Sequence, residues 1–393
     1  MKHTIFFPIA LLFLFALNQA LSENNFQDFF IYRAGADMGL HGESPYDTAK
    51  LKVRILDQYP GEDGLANNAG FFQPPGGIVV FSPFAMLPYP VAKVAWAVVN
   101  ALAAWAVLLL MRTFADPPGT ADPTRPLAAL VIAIAICLNF LTIALIVVGQ
   151  TTLLLVGCVA AGQWCFEKGR PFVGGLLWSI AFVKPHIALP LIPLAWYLGG
   201  RRRGLGVITA VGLLTLVGCL LAGSSPLFLR EYLDFLASSH KSVQFNKAEC
   251  NTQITSWNRI LIAAGGPVIE LTAITTLAGY LVWYGFVAAR CAITRQWPSP
   301  AWALAASAVG ALVCCQVLGY EVFLLALVIP YLRDLFRDGQ RVVPVLVLLL
   351  MGVQLVPFDF EHLKITAPRA LAVAGVAGLV LWGPLRASSA SRR

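Results

Sequence analysis

Charge is what this chain has least of. Only 12% of its 393 residues are Asp, Glu, Lys or Arg, about half the share of an ordinary soluble domain. With 58% of residues in the hydrophobic set, too few polar groups remain to cover a water-soluble fold. Disulfide staples are lacking as well. Of eight cysteines, Cys137, Cys158, Cys165, Cys219, Cys291, Cys314 and Cys315 lie in or beside apolar runs, which leaves Cys250 alone in a polar loop. No extracytoplasmic disulfide framework can form from that pattern, and no CxxC or HExxH spacing points to a metal site. A Walker-type phosphate loop is also missing, so nothing calls for a nucleotide or another cofactor. The net charge of +8 does not indicate nucleic acid, because the basic residues come in short clusters between apolar runs, as in Arg201-Arg202-Arg203. That is how cytoplasmic loops look.

What is present is one apolar run after another. Runs of spanning length predict helices near 5–21, 90–111, 127–148, 151–166, 172–184, 186–199, 205–222, 268–289, 300–317, 321–335, 342–357 and 366–385. No stretch is long enough for a separate soluble core, and residues 1–393 read as a single membrane domain. The first run follows a short basic start, but no small-x-small cleavage site follows it, so it reads as a span and not a signal peptide. Gly76–Leu87 is apolar yet short, bracketed by Pro74-Pro75 and Pro88, and reads as re-entrant or interfacial.

Positive residues concentrate on the cytoplasmic side. With the N-terminus inside, Arg112 and Arg125, Lys168 and Arg170, Arg201 to Arg203, Arg290 and Arg295, and Arg333, Arg337 and Arg341 all fall there. Counting Gly76–Leu87 as a full span reverses every later loop and puts Arg201–Arg203 outside. Two long loops, 22–74 and 223–266, then face away from the cytoplasm. The first has helical pattern in Phe26–Gly39 and Thr48–Gln58. The second opens with Ser225-Pro226, followed by Leu229, Tyr232, Leu233 and Leu236 on one face, and such a helix lies flat on the outer leaflet.

Several constellations offer chemistry. On a helix, Asp28, Tyr32 and Gly35 share a face, presenting a carboxylate and a phenol beside a place of close approach. A carboxylate suits the base that takes a proton from an acceptor hydroxyl, although Asp28 also reads as a simple N-cap. Lys184 stands in a short outer turn, against the charge rule. It reads either as a phosphate ligand or as a lysine snorkelling to lipid headgroups. Gln150, at the outer end of one span, orients a sugar or satisfies a helix end. His186 beside Lys184 is a weaker candidate. In the second loop Asn251, Gln253 and Arg259 suit sugar hydroxyls or a phosphate. Tyr320 and Glu321 offer a second carboxylate site, although a helix-start acid looks the same. Asp359, Glu361 and His362 resemble a metal-binding group only faintly, and no metal ligand set is assigned.

Taken in order, five features resemble the bacterial membrane mannosyltransferases that use polyprenyl-phosphate mannose, relatives of the phosphatidylinositol-mannoside enzymes within the GT-C glycosyltransferases. They are Asp28 through Tyr32 with Ser44-Pro45-Tyr46; Pro74-Pro75 continuing to Pro83 and Pro88; Gly149-Gln150; Gly169-Arg170 through Gly174-Gly175 to Lys184-Pro185; and Tyr320-Glu321 leading to Pro330. The chain departs from the pattern at Glu321, near which some relatives carry a histidine, and at Thr151-Thr152, where an asparagine-containing run is usual. The resemblance implies an all-α polytopic membrane fold of GT-C type, with about 12 transmembrane helices, a short re-entrant segment and outer-loop interfacial helices. It implies a polyprenyl-phosphate sugar as donor, a lipid or glycan acceptor, and an extracytoplasmic active site in a bacterial inner membrane. It also makes Asp28 the catalytic base. Lys184, Arg259 and Gln150 are expected at the donor phosphate, with Tyr32, Asn251, Gln253, Tyr320, Glu321 and His186 at sugar or acceptor. The alternative from another class is a transporter or flippase of a lipid-linked substrate.

Overall fold

In a computed structural model, residues 2–22, 25–59, 66, 69–113, 136–137, 139–222, 227–242, 257–267, 273–315, 319–340, 342–355 and 368–384 are described, and among them there is no strand. The helices in chain order are α1 Lys2–Leu21, α2 Gln27–Leu40, α3 Thr48–Gln58, α4 Pro75–Ala85 and α5 Tyr89–Thr113. They continue as α6 Phe140–Val148, α7 Thr152–Glu167, α8 Pro171–Ile180, the one-turn helix Pro185–Ala188, α9 Leu191–Leu221, α10 Leu227–Ser242 and α11 Trp257–Ala263. The last are α12 Ala273–Thr294, α13 Pro300–Cys314, α14 Ile329–Arg337, α15 Val342–Leu355 and α16 Pro368–Trp382. A 3-10 turn, Ala181–Val183, follows α8, and a ten-residue 3-10 stretch, Gly319–Val328, precedes α14.

Local chemistry accounts for many boundaries. Asp47 caps α3, its carboxylate accepting from the Ala49 and Lys50 amides at 3.1 Å each, which satisfies two of the donors every helix start leaves open. Pro75 opens α4 at a position where no N–H is needed. Ser299 and Pro300 start α13 in the same manner, with the Ser299 hydroxyl accepting from the Trp302 amide. Gly149 ends α6 in the left-handed region, at φ 78°, which a side chain rarely adopts. Gly200, at φ 64° and ψ −164°, interrupts α9, so the two runs expected on either side of residue 200 are helical stretches broken there.

Three described helical segments are long and apolar enough to cross a membrane: Tyr89–Leu109, Gly200–Leu221 and Ile274–Thr294. A fourth candidate is a pair, Leu141–Val148 and Thr152–Glu167, bent by 113° at the residues between them. Other apolar helices have 10–17 residues, because proline, glycine or 3-10 turns cut the hydrophobic runs short. Among the described residues the protein is all-helical, and its several apolar helices suit a membrane protein. Of the spans expected at 127–148 and 151–166, the described helices Leu141–Val148 and Thr152–Glu167 form this bent pair, and residues 127–135 and 138 lie outside the described residues.

The chain divides into two compact units. The first takes residues 1–108, 121–185 and 205–243, and the second takes 109–120, 186–204 and 244–393. In the first unit α2 packs along α4, and α7 against α8. Its aromatic core joins Phe30, Tyr46, Tyr59 and Phe71 of the first long loop to Phe228, Tyr232 and Phe235 of α10. This corrects the expected face of α10. Tyr232 turns inward beside Tyr46, at 5.3 Å between ring centroids, while Leu229 and Leu233 stay exposed. The aromatic rings have more apolar area to bury than the leucines, and the loop supplies rings to bury it against. In the second unit α13 is buried along its length and packs against α16 and the long 3-10 stretch. α12 is mostly exposed, as a lipid-facing helix is.

Candidate active site

The site is built where α2 begins and the α6–α7 pair breaks. Phe26, at φ 72°, stands in the N-cap position of α2 and offers no side-chain cap. Its amide donates instead to the Val147 carbonyl at 2.7 Å, which ties the start of α2 to the end of α6. Gly149 makes that approach possible. A Cβ there would stand 2.9 Å from Phe29 Cβ, closer than real side chains come, and 3.1 Å from Phe26 Cα. The bend then turns the next residue, Gln150, toward the first turn of α2.

Asp28 lies in that first turn, so the N-cap reading is overturned: the cap position belongs to Phe26. A carboxylate in a helix's first turn is favoured by the unpaired amides there. Gln150 Nε2 donates to Asp28 Oδ2. One turn along α2, the Tyr32 hydroxyl donates to Gln150 Oε1 at 3.2 Å. Lys184 Nζ donates to the same Gln150 oxygen at 3.0 Å and to Thr152 Oγ1 at 3.1 Å. Gln150 therefore connects the carboxylate, the phenol and the ammonium through one amide. Gln150, Tyr32, Lys184 and Thr152 are all buried, where such bonds are stronger than in water. The reading of Lys184 as a snorkelling lysine is overturned as well, because the side chain points into the unit with only 7% of its surface exposed. Its backbone, at φ −121° and ψ 78°, is outside the helical region that the residue before a proline avoids, and this turns the chain after the 3-10 segment.

The third member of the shared α2 face, Gly35, is where close approach occurs. A Cβ there would stand 2.2 Å from Phe71 Cδ2, so the Phe71 ring occupies that space. Thr151, fully buried at the N-cap of α7, leaves its hydroxyl without a partner among the described residues. Beside the Lys184 turn runs a cleft of about 90 Å³, lined mainly by apolar side chains that include Val80, Phe182, Val183, Val211 and Leu214. Ser179 and Thr215 are its polar residues.

Sequence reasoning missed Arg33. It is buried next to Tyr32, and its Nη1 donates to Gln58 Oε1 and the Tyr59 hydroxyl at 2.8 Å each. Nε and Nη2 donate to the Phe84 carbonyl at 3.2 Å and the Leu87 carbonyl at 2.8 Å. A guanidinium thus closes the C-terminal end of α4, where carbonyls are left open, and holds α2 and α3 against it. A lone arginine inside an aromatic run was the available signal. Thr152, the second partner of Lys184, was missed too, since a threonine at a helix start carries no distinctive pattern.

His186, Tyr320 and Glu321 belong to the second unit. The His186 carbonyl accepts from the Tyr280 hydroxyl at 2.6 Å and from Cys315 Sγ at 3.1 Å. Glu321 is buried in the first turn of the long 3-10 stretch, which Gly319 and Tyr320 open. Asn251, Gln253, Asp359, Glu361 and His362 lie outside the described residues, as does the Arg259 side chain. Among the described residues no group of three His, Cys, Asp or Glu is placed to hold a metal ion.

Residues 71–319 match the family model of glycosyltransferase family 87, which is more than half of the chain. The protein belongs to glycosyltransferase family 87. It is therefore a membrane glycosyltransferase. Comparison with curated proteins returns no match. Gln150, Thr152 and Lys184 fall inside the matched segment, whereas Asp28 and Tyr32 precede it.

Proposed function

We propose that this family 87 enzyme transfers mannose from a polyprenyl-phosphate donor to a lipid or glycan hydroxyl. The setting is the extracytoplasmic face of a bacterial inner membrane, in a GT-C architecture of about twelve spans. The observation that carries the reading is the continuous hydrogen-bonded set running from Asp28 through Gln150 to Lys184. One end is a carboxylate suited to accept a proton, and the other is an ammonium suited to a phosphate. The apolar cleft beside the Lys184 turn suits the first isoprene units of the donor. The Thr151 hydroxyl and the first turn of α7 add donors for phosphate oxygens.

In the step proposed, the acceptor hydroxyl gives its proton to Asp28 and its oxygen bonds to the anomeric carbon. The bond from that carbon to the phosphate oxygen breaks, and its electron pair leaves with polyprenyl phosphate. Lys184 balances the charge that gathers on the leaving phosphate. Because the leaving group is already a phosphate, orientation and charge balance are the main demands on the protein.

The test is transfer of radiolabelled sugar from polyprenyl-phospho-mannose by the purified protein in proteoliposomes. Asp28→Asn, which keeps the shape of the side chain, is expected to lower kcat by about 10²-fold or more, the usual contribution of a general base. Near-normal transfer by that variant refutes the assignment of the base. A transporter of the same lipid yields no new glycosidic bond at all.

A further inference from the structure

A second built surface lies in the second unit, in side chains that the proposed transfer does not use. The break at Gly200 is followed at once by Arg201, Arg202 and Arg203. Arg201 and Arg202 are exposed, while Arg203 is half-buried with its guanidinium donating to the Leu198 carbonyl at 3.4 Å. These residues form the first turn of the Gly200–Leu221 segment, which is apolar enough to cross a membrane. The first turn of a spanning helix meets the headgroup layer.

Aromatic rings stand at the same corner. Trp297 is 73% exposed and lies nearly parallel to Tyr197, with 6.3 Å between ring centroids. The Tyr197 hydroxyl donates to the Pro298 carbonyl, fixing the 295–298 turn against the end of the Leu191–Leu198 helical stretch. Arg295, exposed and at φ 52°, is two residues from Trp297. Trp196, itself half-exposed, lies over Gly204, where a Cβ would stand 2.1 Å from the indole. The chain carries no Asp or Glu between residues 168 and 230, or between 271 and 320. Neither segment that builds this corner therefore supplies a carboxylate to it.

Exposed tryptophan and tyrosine at the end of a span belong in the headgroup layer. Guanidinium groups bind phosphate diesters with two parallel hydrogen bonds. We infer that this arginine and aromatic corner binds the headgroups of anionic glycerophospholipids in the adjoining leaflet. Arg201, Arg202 and Arg295 meet the phosphates, and Trp297 and Tyr197 lie among the glycerol and upper acyl carbons. The inference stands apart from the sugar-transfer reading, since it uses none of the same residues.

The experiment reconstitutes the full chain in phosphatidylcholine vesicles containing brominated acyl chains, carried either on phosphatidylglycerol or on phosphatidylcholine. Trp297 fluorescence is read as the difference between wild type and Trp297→Phe. Stronger quenching by the anionic quencher is expected, and R201Q/R202Q/R295Q is expected to remove the preference. Each arginine contributes about fivefold in local enrichment of anionic lipid. Arg203 is left in place because it closes the helix end at Leu198. Lipid retained through purification, counted by mass spectrometry, gives a second readout that needs no tryptophan variant. Equal quenching by the two lipids, or an unchanged preference in the triple variant, overturns the inference and leaves only the ordinary placement of basic residues beside a span.

Discussion

Gln150 is the residue on which the proposed chemistry can be tested most sharply. Gln150→Ala removes the hydrogen bonds to Tyr32, Asp28 and Lys184, two of them to charged groups. A hydrogen bond to a charged group contributes about 1.5–3 kcal/mol, so losing two amounts to about 3 kcal/mol at the lower end. If that energy orients the base and the cation for transfer, kcat/KM falls by about 10²-fold. Gln150→Glu has nearly the same shape but turns the donor facing Asp28 into a second carboxylate. Two carboxylates in contact raise the pKa of one of them, and a base acts only when deprotonated. The acid limb of the kcat/KM profile must therefore move to higher pH in Gln150→Glu, while Gln150→Ala lowers the whole profile. The assay is label transfer across a pH series, with thermal unfolding measured in parallel to show that both variants remain folded. A Gln150→Ala enzyme within twofold of wild type, or a Gln150→Glu profile with an unmoved acid limb, refutes the idea that this amide links base to cation.

Gly149→Ala places a Cβ against Phe26 and Phe29 at a positive φ, at a cost of about 1–2 kcal/mol in the backbone alone. It is expected to lower kcat by displacing Gln150, and the separate kcat and KM values check this. Arg33→Met leaves the Phe84 and Leu87 carbonyls and Gln58 without their guanidinium partner. These acceptors are partly buried, and orphaning them costs up to about 1–3 kcal/mol each, so a fall in melting temperature in detergent is expected, unlike the Gln150 variants. Burial pushes the Tyr59 phenol up from 10.0 to about 12, against the lowering effect of the Arg33 charge. Folding therefore favours the neutral phenol, and its contribution is complete below pH 10 and lost as pH rises toward 12. Tyr59→Phe is expected to flatten the stability profile in that window, which denaturation across alkaline pH would check.

Much of the architecture was legible because its causes are local. The α3 boundaries follow from a cap at Asp47 and a helical pattern that ends at Gln58. Pro74-Pro75 start α4, Gly149 ends α6 and Gly200 divides α9, each through backbone chemistry that a single residue imposes. The face of α10 was misread for the opposite reason. Its leucines and aromatics have similar spacing, and only the presence of Tyr46 and Phe72 nearby decides which of them is buried.

The same division holds for the site. By itself the sequence determined a membrane-embedded helical chain, the oddity of a lysine in a short turn between two apolar runs, and a carboxylate one helical turn from a phenol. Composition and short-range spacing suffice for those features. Tertiary structure alone decided that Gln150 meets Asp28 across 122 residues and Lys184 across 34. It also decided that Arg33 closes α4 and that Glu321 and His186 belong to the other unit. Which polar side chains meet depends on how bent helices pack, and packing is set by the summed burial of many apolar groups whose partners are distant in the chain.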